Sequence, residues 1–385
     1  MTSATSTLKV LLISHSADLG GAELSLYAQA LALREEGIQP VVVVPRKGPL
    51  VRLLQQEGIP TIRMFFPWMM ASKPLTAPAF ALRKWLTQIS AAILHQRGVC
   101  RDVGLVLTNT TVTGLGHFLA RLSQTPHIWL AHEVPSQFAP RSPMLAFLQS
   151  IRARIVGNSH YTIDCWNRQT RGALPLIPSP LAPIIHLPTL SRRATAPAAP
   201  DSQASLNLAC VGRVCEAKNQ KFLIELAGAL STAYASIHIH LVGACDQHYR
   251  ALLLNELRQP SAPSNIDLSF IPQATNPFEH IPTDSLFIQS STNETLGRTT
   301  LEAMSAGFLV VALNQGASTE LVPEDHARGV LLPASESPES QAALLLQQLR
   351  DSHRVENMRN AAVPFARQFS QSAHHPQFVK EILKD

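Results

Sequence analysis

Cysteine is scarce in this chain, with five among 385 residues. The number is odd and no Cys-x-x-Cys pair occurs, which excludes a disulfide framework and indicates a reducing compartment. No run of about 18 uncharged apolar residues is present, so no transmembrane helix is expected. The segment before the apolar run Val10–Ile13 has no basic stretch of the kind that opens a signal peptide. We therefore expect a cytoplasmic protein, with contact at the inner face of the membrane left open.

Charge is also sparse and unevenly placed. Charged residues make up 15% of the chain and apolar residues 45%, which excludes a largely disordered protein. Residues 1–190 carry 17 basic and 8 acidic side chains (+9), whereas residues 191–385 carry 15 and 19 (−4). The basic first half suggests an anionic partner. The excess is too small and too scattered to indicate nucleic acid, and none is expected as a partner.

Short apolar runs alternate with helical patterns through both halves, which predicts two doubly wound parallel sheets covered by helices. Strands are expected at Leu8–Ser14, Pro40–Pro45, Thr61–Phe65, Val103–Thr108, His127–Ala131, Arg154–Gly157, Leu206–Val211, Ile237–Val242, Ile266–Phe270, Asp284–Gln289, Phe308–Leu313 and Gly329–Leu332. Helices are expected at Ala22–Glu36, Leu50–Glu57, Ala79–Gln96, Val112–Ser123, from about Ser159, at Asn219–Leu230, Ala251–Leu257 and Thr299–Ser305, and beyond Ser337.

The stretch 186–205 is rich in Pro, Ala, Ser and Thr and predicts a linker. The domains are then residues 1–185 and 206–369, and ligands are expected in the cleft between them.

Two features of the first half lie where such sheets bind ligands. Gly20 and Gly21 follow the first strand and open a helix, where free N–H groups and the dipole favour an anion. The spacing is not the GxGxxG of a dinucleotide site. His132 follows the strand His127–Ala131. A tight turn without a ligand and a structural histidine remain the alternatives.

The second half carries stronger signals. Arg213 and Lys218 follow the strand Leu206–Val211 and could neutralise a departing diphosphate. Glu294 and Glu302 have seven residues between them, the first in a loop after a strand and the second inside the following helix. Glu294 can accept hydrogen bonds from a polyol and Glu302 from a vicinal diol. Solvated loop cations and ordinary helix-start glutamates are the alternatives.

Around Leu296, Gly297 and Arg298 the helix begins, so its unpaired N–H groups suit a phosphate.

Together these motifs resemble retaining glycosyltransferases of the GT-B fold, in the group-1 (family 4) class. The resemblance covers about Lys9 to Phe369 and rests on Gly20-Gly21-Ala22-Glu23, Gly212-Arg213 with Lys218-Asn219, Glu294 to Glu302-Ala-Met with Gly307, and Gly316-Ala-Ser-Thr-Glu320-Leu-Val322.

The resemblance implies two Rossmann-like domains facing across a cleft, with the acceptor on the first and a nucleotide-sugar donor on the second. Arg213, Lys218 and the amides around Gly297 would stabilise the departing diphosphate, Glu302 would bind the ribose, and Glu294 the donor sugar. His132 would reach the transferred sugar.

The resemblance also has implications for the glycine turn, for the C-terminal segment and for the acceptor. Gly20 and Gly21 would lie near the phosphate and acceptor, and a helix at about 370–385 would pack back on the first domain. The acceptor is expected to be a saccharide or a lipid-linked molecule of cell-surface polysaccharide or lipopolysaccharide synthesis.

Two departures from the family leave the donor open. Glu294 is followed by Thr295-Leu296-Gly297 where Gly-Phe-Gly is common, and Arg298 stands where a small or apolar residue is frequent. No Asp-x-Asp motif occurs, so we expect transfer without a metal ion or other cofactor. His238, His240, Cys245 and His248 lack the ligand-pair spacing of a zinc site.

The acceptor side is less defined. An aromatic loop at Phe65–Met70 and a helix carrying Arg83, Lys84 and Trp85 could meet an anionic lipid surface. The alternative is an ordinary amphipathic helix packed on the sheet. For the whole chain, a nucleotide-sugar epimerase and a non-catalytic binding subunit remain as alternative functions.

Overall fold

The computed structural model describes residues 8–70, 75–135, 142–178 and 194–370. The chain divides into two compact units, the first extending to His186 and the second covering Leu187–Phe369. Part of the predicted linker (186–193) and most of the predicted C-terminal helix (371–385) lie outside the described residues.

The first unit is a seven-stranded parallel sheet with the strand order β3-β2-β1-β4-β5-β6-β7. Its strands are β1 (Lys9–Ile13), β2 (Gln39–Val44), β3 (Thr61–Arg63), β4 (Val103–Thr108), β5 (His127–Ala131), β6 (Ile155–Gly157) and β7 (Leu176–Pro178). Its helices are α1 (Gly21–Glu35), α2 (Pro49–Gln56), α3 (Ala77–Gln96), α4 (Leu115–Ser123), α5 (Pro143–Ser150) and α6 (His160–Thr170).

Strand β1 shows why this sheet is covered on both faces. Side chains alternate between faces along a strand. Leu11 and Ile13 join one buried apolar cluster, while Val10 and Leu12 join another. All four are fully buried. A strand that is apolar on both faces requires helices on both sides of the sheet.

The second unit is a six-stranded parallel sheet with the order β10-β9-β8-β11-β12-β13. Its strands are β8 (Asp201–Val211), β9 (Tyr234–Val242), β10 (Ile266–Ile271), β11 (Leu286–Gln289), β12 (Leu309–Leu313) and β13 (Val330–Leu332). Its helices are α7 (Lys221–Leu230), α8 (Gln247–Leu257), α9 (Arg298–Ser305), α10 (Ser318–Leu321), α11 (Pro338–Leu349) and α12 (Ser352–Arg367).

The predicted strands and helices are confirmed as elements, with differences at their ends. Strand β8 begins at Asp201, inside the stretch predicted as linker, because its polar start still pairs with Tyr234–Ser236 of β9. Helix α8 begins four residues before the predicted start, where the Asp246 side chain accepts a hydrogen bond from the Tyr249 amide. Elements α5, α10 and β7 were not predicted, because they are short and have weak periodicity.

Each sheet reverses its strand order at one point, between β1 and β4 in the first unit and between β8 and β11 in the second. Loops leaving the carboxyl ends of such neighbouring strands diverge and form a crevice that binds ligands in open α/β sheets. Four of the loops that carry predicted site residues follow β1, β5, β8 and β11. The loops that carry the predicted site residues therefore lie at the carboxyl edge of each sheet.

Candidate functional site

The second unit brings two of the predicted site residues into direct contact. Lys218 lies in the loop after β8 and Glu294 in the loop after β11, 76 positions later. The Lys218 ammonium donates a hydrogen bond to the Glu294 carboxylate at 2.7 Å. The Glu294 side chain is 17% exposed and that of Lys218 38%, so the pair lies at an accessible edge of the sheet.

Hydrogen bonds between the two loops hold this pair in place. The Ser290 hydroxyl donates to the Lys218 carbonyl at 2.8 Å, and the Asn219 side-chain amide donates to the Ser290 carbonyl at 3.3 Å. Gln220 is almost fully buried, and its amide donates to the Arg213 carbonyl at 2.8 Å. The loop from Arg213 to Gln220 is therefore closed on itself and tied to the end of β11.

The main chain of Glu294 is supported from the other side by the loop after β12. The Ala317 amide donates to the Glu294 carbonyl at 2.9 Å. Gly316 has a φ of +63° and packs so closely that a Cβ there would lie 2.6 Å from the Glu294 carbonyl oxygen. Glycine alone meets both conditions without strain. Three loops therefore converge on Glu294, the loop after β8 on its carboxylate and the loop after β12 on its main chain.

The protonation state of Lys218 follows from its surroundings. Burial alone would lower its pKa, but the charge of Glu294 and the hydrogen bond to it outweigh that effect and raise the pKa above 10.5. The residue is therefore a cation at neutral pH. An ammonium has three N–H donors, and Glu294 uses one, so Lys218 can stabilise a second anion while keeping its partner.

Helix α9 supplies the next part of the site. It begins at Arg298, directly after Gly297, which has a φ of +89°. Arg298 donates to Glu302 at 2.9 Å, one helical turn along. Both side chains are nearly buried, at 15% and 13% exposed. The structure thus pairs the carboxylate predicted to bind a diol with the residue that departs from the family pattern.

Leu296 is half-buried in the turn that leads into this helix. Arg213 is exposed, and its guanidinium forms no hydrogen bond or ion pair with a described residue. Arg213 is therefore available to an anionic ligand, as Lys218 is.

In the first unit, His132 follows β5 and is joined to Asn109, the residue after β4. Asn109 is fully buried. Its side-chain oxygen lies 2.9 Å from His132 Nε2, and its side-chain nitrogen donates to the Ala22 carbonyl at 2.7 Å. One amide thus links the end of β5 to the first turn of α1, which begins at Gly21.

The nearby Glu23 side chain explains why a glycine stands at position 20. The Gly20 amide donates to the Glu23 carboxylate at 3.1 Å, and a Cβ at Gly20 would lie 2.7 Å from the same oxygen. The other Glu23 oxygen is 3.4 Å from His15 Nε2. The buried Glu23 therefore shapes the glycine turn, a role that the sequence analysis did not assign.

Two of the histidines for which no zinc site was expected, His238 and His240, contact other polar side chains. His238 lies 3.5 Å from Asp267, and His240 hydrogen-bonds Asn207 and Ser269. Within residues 8–70, 75–135, 142–178 and 194–370, no group of three His, Cys, Asp or Glu side chains is arranged to hold a metal ion. Among the described helices, none has the length and apolarity that crossing a bilayer requires.

Comparison with known families decides the nature of the second unit. The family described as glycosyl transferases, group 1, matches residues 200–365. The second unit is a group 1 glycosyl transferase domain. This glycosyl transferase domain contains Arg213, Lys218, Glu294 and Glu302. No curated protein sequence matches the chain.

Solved structures extend the likeness to the whole chain. The Anabaena protein Alr3699/HepE in complex with UDP and glucose is 19% identical, with a TM-score of 0.74 over 98% of this chain and 100% of that one. A glycosyltransferase from Rickettsia africae is 16% identical, with a TM-score of 0.73 over 99% and 100%. WaaG, a glycosyltransferase involved in lipopolysaccharide biosynthesis, is 13% identical, with a TM-score of 0.66 over 98% and 100%. The predicted GT-B fold is confirmed.

Two residues of these sites, Asn109 and Gln220, were not predicted from the sequence, and Gly316 was recognised only as part of a family motif. Asn109 directly follows the predicted strand Val103–Thr108, which is a signal that could have identified it. The Gln220 side chain donates to the Arg213 carbonyl seven positions back, and Gly316 contacts the main chain of Glu294. Neither contact has a local sequence pattern.

Proposed function

We propose that the protein is a retaining glycosyltransferase that moves a sugar from a nucleotide-sugar donor to a saccharide or lipid-linked acceptor. The supporting observation is the Lys218–Glu294 pair at the carboxyl edge of a group 1 glycosyl transferase domain. In this proposal residues 1–185 form the acceptor domain and residues 206–369 the donor domain. The pathway is cell-surface polysaccharide or lipopolysaccharide synthesis, at the cytoplasmic face of the membrane.

The donor groups divide by charge. Arg213 and Lys218 stabilise the departing diphosphate, helped by the N–H groups at Gly297 that begin α9. Glu294 accepts hydrogen bonds from the donor sugar, and Glu302 binds the ribose hydroxyls. The ion pair with Arg298 neutralises Glu302, so that it does not repel the diphosphate nearby.

Transfer proceeds on one face of the sugar. The bond from C1 to the diphosphate oxygen breaks, the acceptor oxygen bonds to C1 from the same side, and the acceptor proton passes to a phosphate oxygen. No protein nucleophile is required. His132 orients the transferred sugar from the first unit, and Gly20 and Gly21 lie beside the phosphate and acceptor. No metal or other cofactor takes part.

The first property to measure is which nucleotide the protein binds. A thermal-shift panel of UDP, GDP, ADP and CDP with their common sugars, with and without a chelator, tests the site directly. UDP leads the panel because the similar Anabaena protein binds UDP and glucose. A ligand at about 100 times its Kd adds about 2.7 kcal/mol of stability, which is several degrees in Tm. We expect one nucleotide to shift Tm, with and without chelator alike.

Loss of that shift on chelation would contradict metal-independent binding. If no nucleotide shifts Tm, the donor site fails and a structural or scaffold role follows. A shift without any sugar transfer would instead support the alternative of a binding subunit.

The acceptor proposal rests on an apolar strip in the first unit, formed by Phe65, Trp68, Leu82, Trp85 and Ile89. These side chains are between 37% and 68% exposed. Arg83 ties α3 to the loop by donating to the Trp68 carbonyl at 2.9 Å. Helix α3 contains no acidic residue. Exposed aromatic rings beside cations are typical of surfaces that meet anionic lipid. We therefore place a lipid-linked acceptor at this strip.

Vesicle co-sedimentation tests the strip. The double substitution Leu82→Ser and Trp85→Ser changes exposed side chains and should release the protein from vesicles containing phosphatidylglycerol. Leu252→Ser is the matched control, since Leu252 is 49% exposed on the second unit. Charge reversal at Arg83 and Lys84 should have the same effect. Binding that survives both changes, or is absent in the wild type, would contradict membrane contact.

A further inference from the structure

Asn109 stands at the point where the first sheet reverses its strand order. It is fully buried, and its main-chain amide donates to the Ile13 carbonyl at 2.9 Å, which joins the end of β4 to the end of β1. Its side chain contacts Ala22 on one side and His132 on the other. One residue therefore connects three elements that carry predicted site residues.

The orientation of the Asn109 amide is determined by its partners. The Ala22 carbonyl can only accept a hydrogen bond, so the Asn109 NH2 group must face it. The reverse orientation would place two oxygens 2.7 Å apart with no proton between them. The Asn109 oxygen therefore faces His132 Nε2, and an amide oxygen can only accept. Nitrogen Nε2 must carry the hydrogen.

We propose that Asn109 is a positioning residue that holds His132 in the Nε2–H tautomer and ties its ring to the first turn of α1. In the neutral ring, Nδ1 is then the acceptor nitrogen. The tautomer assignment stands independently of the proposed function. Its use in orienting a sugar rests on that function.

Nitrogen-15 NMR of histidine-labelled protein tests the assignment without any substrate. The His132 resonances are identified by their loss in His132→Gln. At neutral pH we expect a protonated Nε2 whose proton exchanges slowly with water, because it is donated to a buried oxygen. A wild-type spectrum with the proton on Nδ1 would overturn the proposal, and this measurement requires no Asn109 variant to fold.

Variants then test whether Asn109 is the cause. Asn109→Leu removes the acceptor, and the slow Nε2 proton should disappear. Asn109→Asp, protonated on the oxygen that faces the Ala22 carbonyl, keeps an acceptor towards His132 and should retain the slow proton. Thr108→Val is the matched control. Thr108 contacts His127 Nε2 at 2.8 Å, so this change should alter the His127 signal and leave His132 unchanged. A slow proton that persists in Asn109→Leu would refute the role.

Kinetics separate this inference from the proposed function. Asn109→Leu should lower kcat by about 10- to 100-fold, since a misplaced contact group of this kind costs up to about 10²-fold. The donor KM should stay within about twofold. If His132→Gln leaves kcat unchanged while the tautomer is as proposed, the catalytic use of His132 fails and the positioning stands. If kcat of Asn109→Leu equals that of the wild type while His132→Gln is impaired, positioning by Asn109 is wrong.

Discussion

The Lys218–Glu294 pair predicts that its two members act as a unit. The isosteric substitutions Lys218→Met and Glu294→Gln each remove one charge while keeping the shape of the side chain. Their double mutant completes a cycle that measures the coupling between them. The two side chains are 2.7 Å apart and the contact raises the pKa of Lys218, so Lys218 is a cation at neutral pH and donates to the Glu294 side chain.

The expected magnitudes differ between stability and catalysis. A hydrogen bond between charged groups contributes about 1.5–3 kcal/mol when shielded from water. Side chains 38% and 17% exposed reduce that to about 1 kcal/mol, or about 2–4 °C in Tm. In catalysis, removing one preorganised group that stabilises developing charge costs about 10²- to 10³-fold in kcat. Because each loss displaces the partner, the double mutant should be at most about tenfold worse than the poorer single mutant.

The assay is donor-dependent sugar transfer, with Tm measured on the same preparations. Lys221→Met is the control, since Lys221 forms an exposed ion pair with Glu256 at 3.0 Å and should change kcat and Tm little. Losses that multiply across Lys218→Met and Glu294→Gln would show that the two residues act independently, and the reasoning from their contact would be wrong.

Two further predictions concern stability. Gly316→Ala should lower the free energy of unfolding by about 1–3 kcal/mol because Gly316 has a positive φ and packs against Glu294. Gly228→Ala in α7 is the control, since a Cβ there meets open space, and it should raise the free energy of unfolding by about 0.5–1 kcal/mol. Equal effects in chemical denaturation would contradict the close approach. Burial and nearby cations lower the pKa of His117 to about 4 from 6.5. Below pH 6.5 the unfolded chain therefore binds more protons than the folded protein does. The free energy of unfolding should fall as pH drops from 6.5 towards 4. His117→Gln should flatten this slope in Tm against pH, and the exposed His353→Gln should not.

The alternation of strands and helices could be predicted from the sequence because it depends on local patterns of apolar residues. Val41–Val44 and Leu309–Leu313 are continuous apolar runs, and buried parallel strands require such runs. The Glu294–Glu302 spacing could also be recognised, since both residues belong to one loop and helix. By contrast, Asp201–Ser205 has the composition of a linker, and only pairing with β9 makes it a strand.

Only the tertiary structure decided which side chains contact each other within each site. Lys218 meets Glu294 across 76 positions and Asn109 meets Ala22 across 87, because strand order places the loops after β8 and β11, and those after β1 and β4, side by side. The tautomer of His132 and the pairing of Glu302 with Arg298 depend on side-chain orientation to within about an ångström. Periodicity in a sequence records which face of an element is buried. It does not record which strands become neighbours, and neighbouring strands determine which functional groups meet.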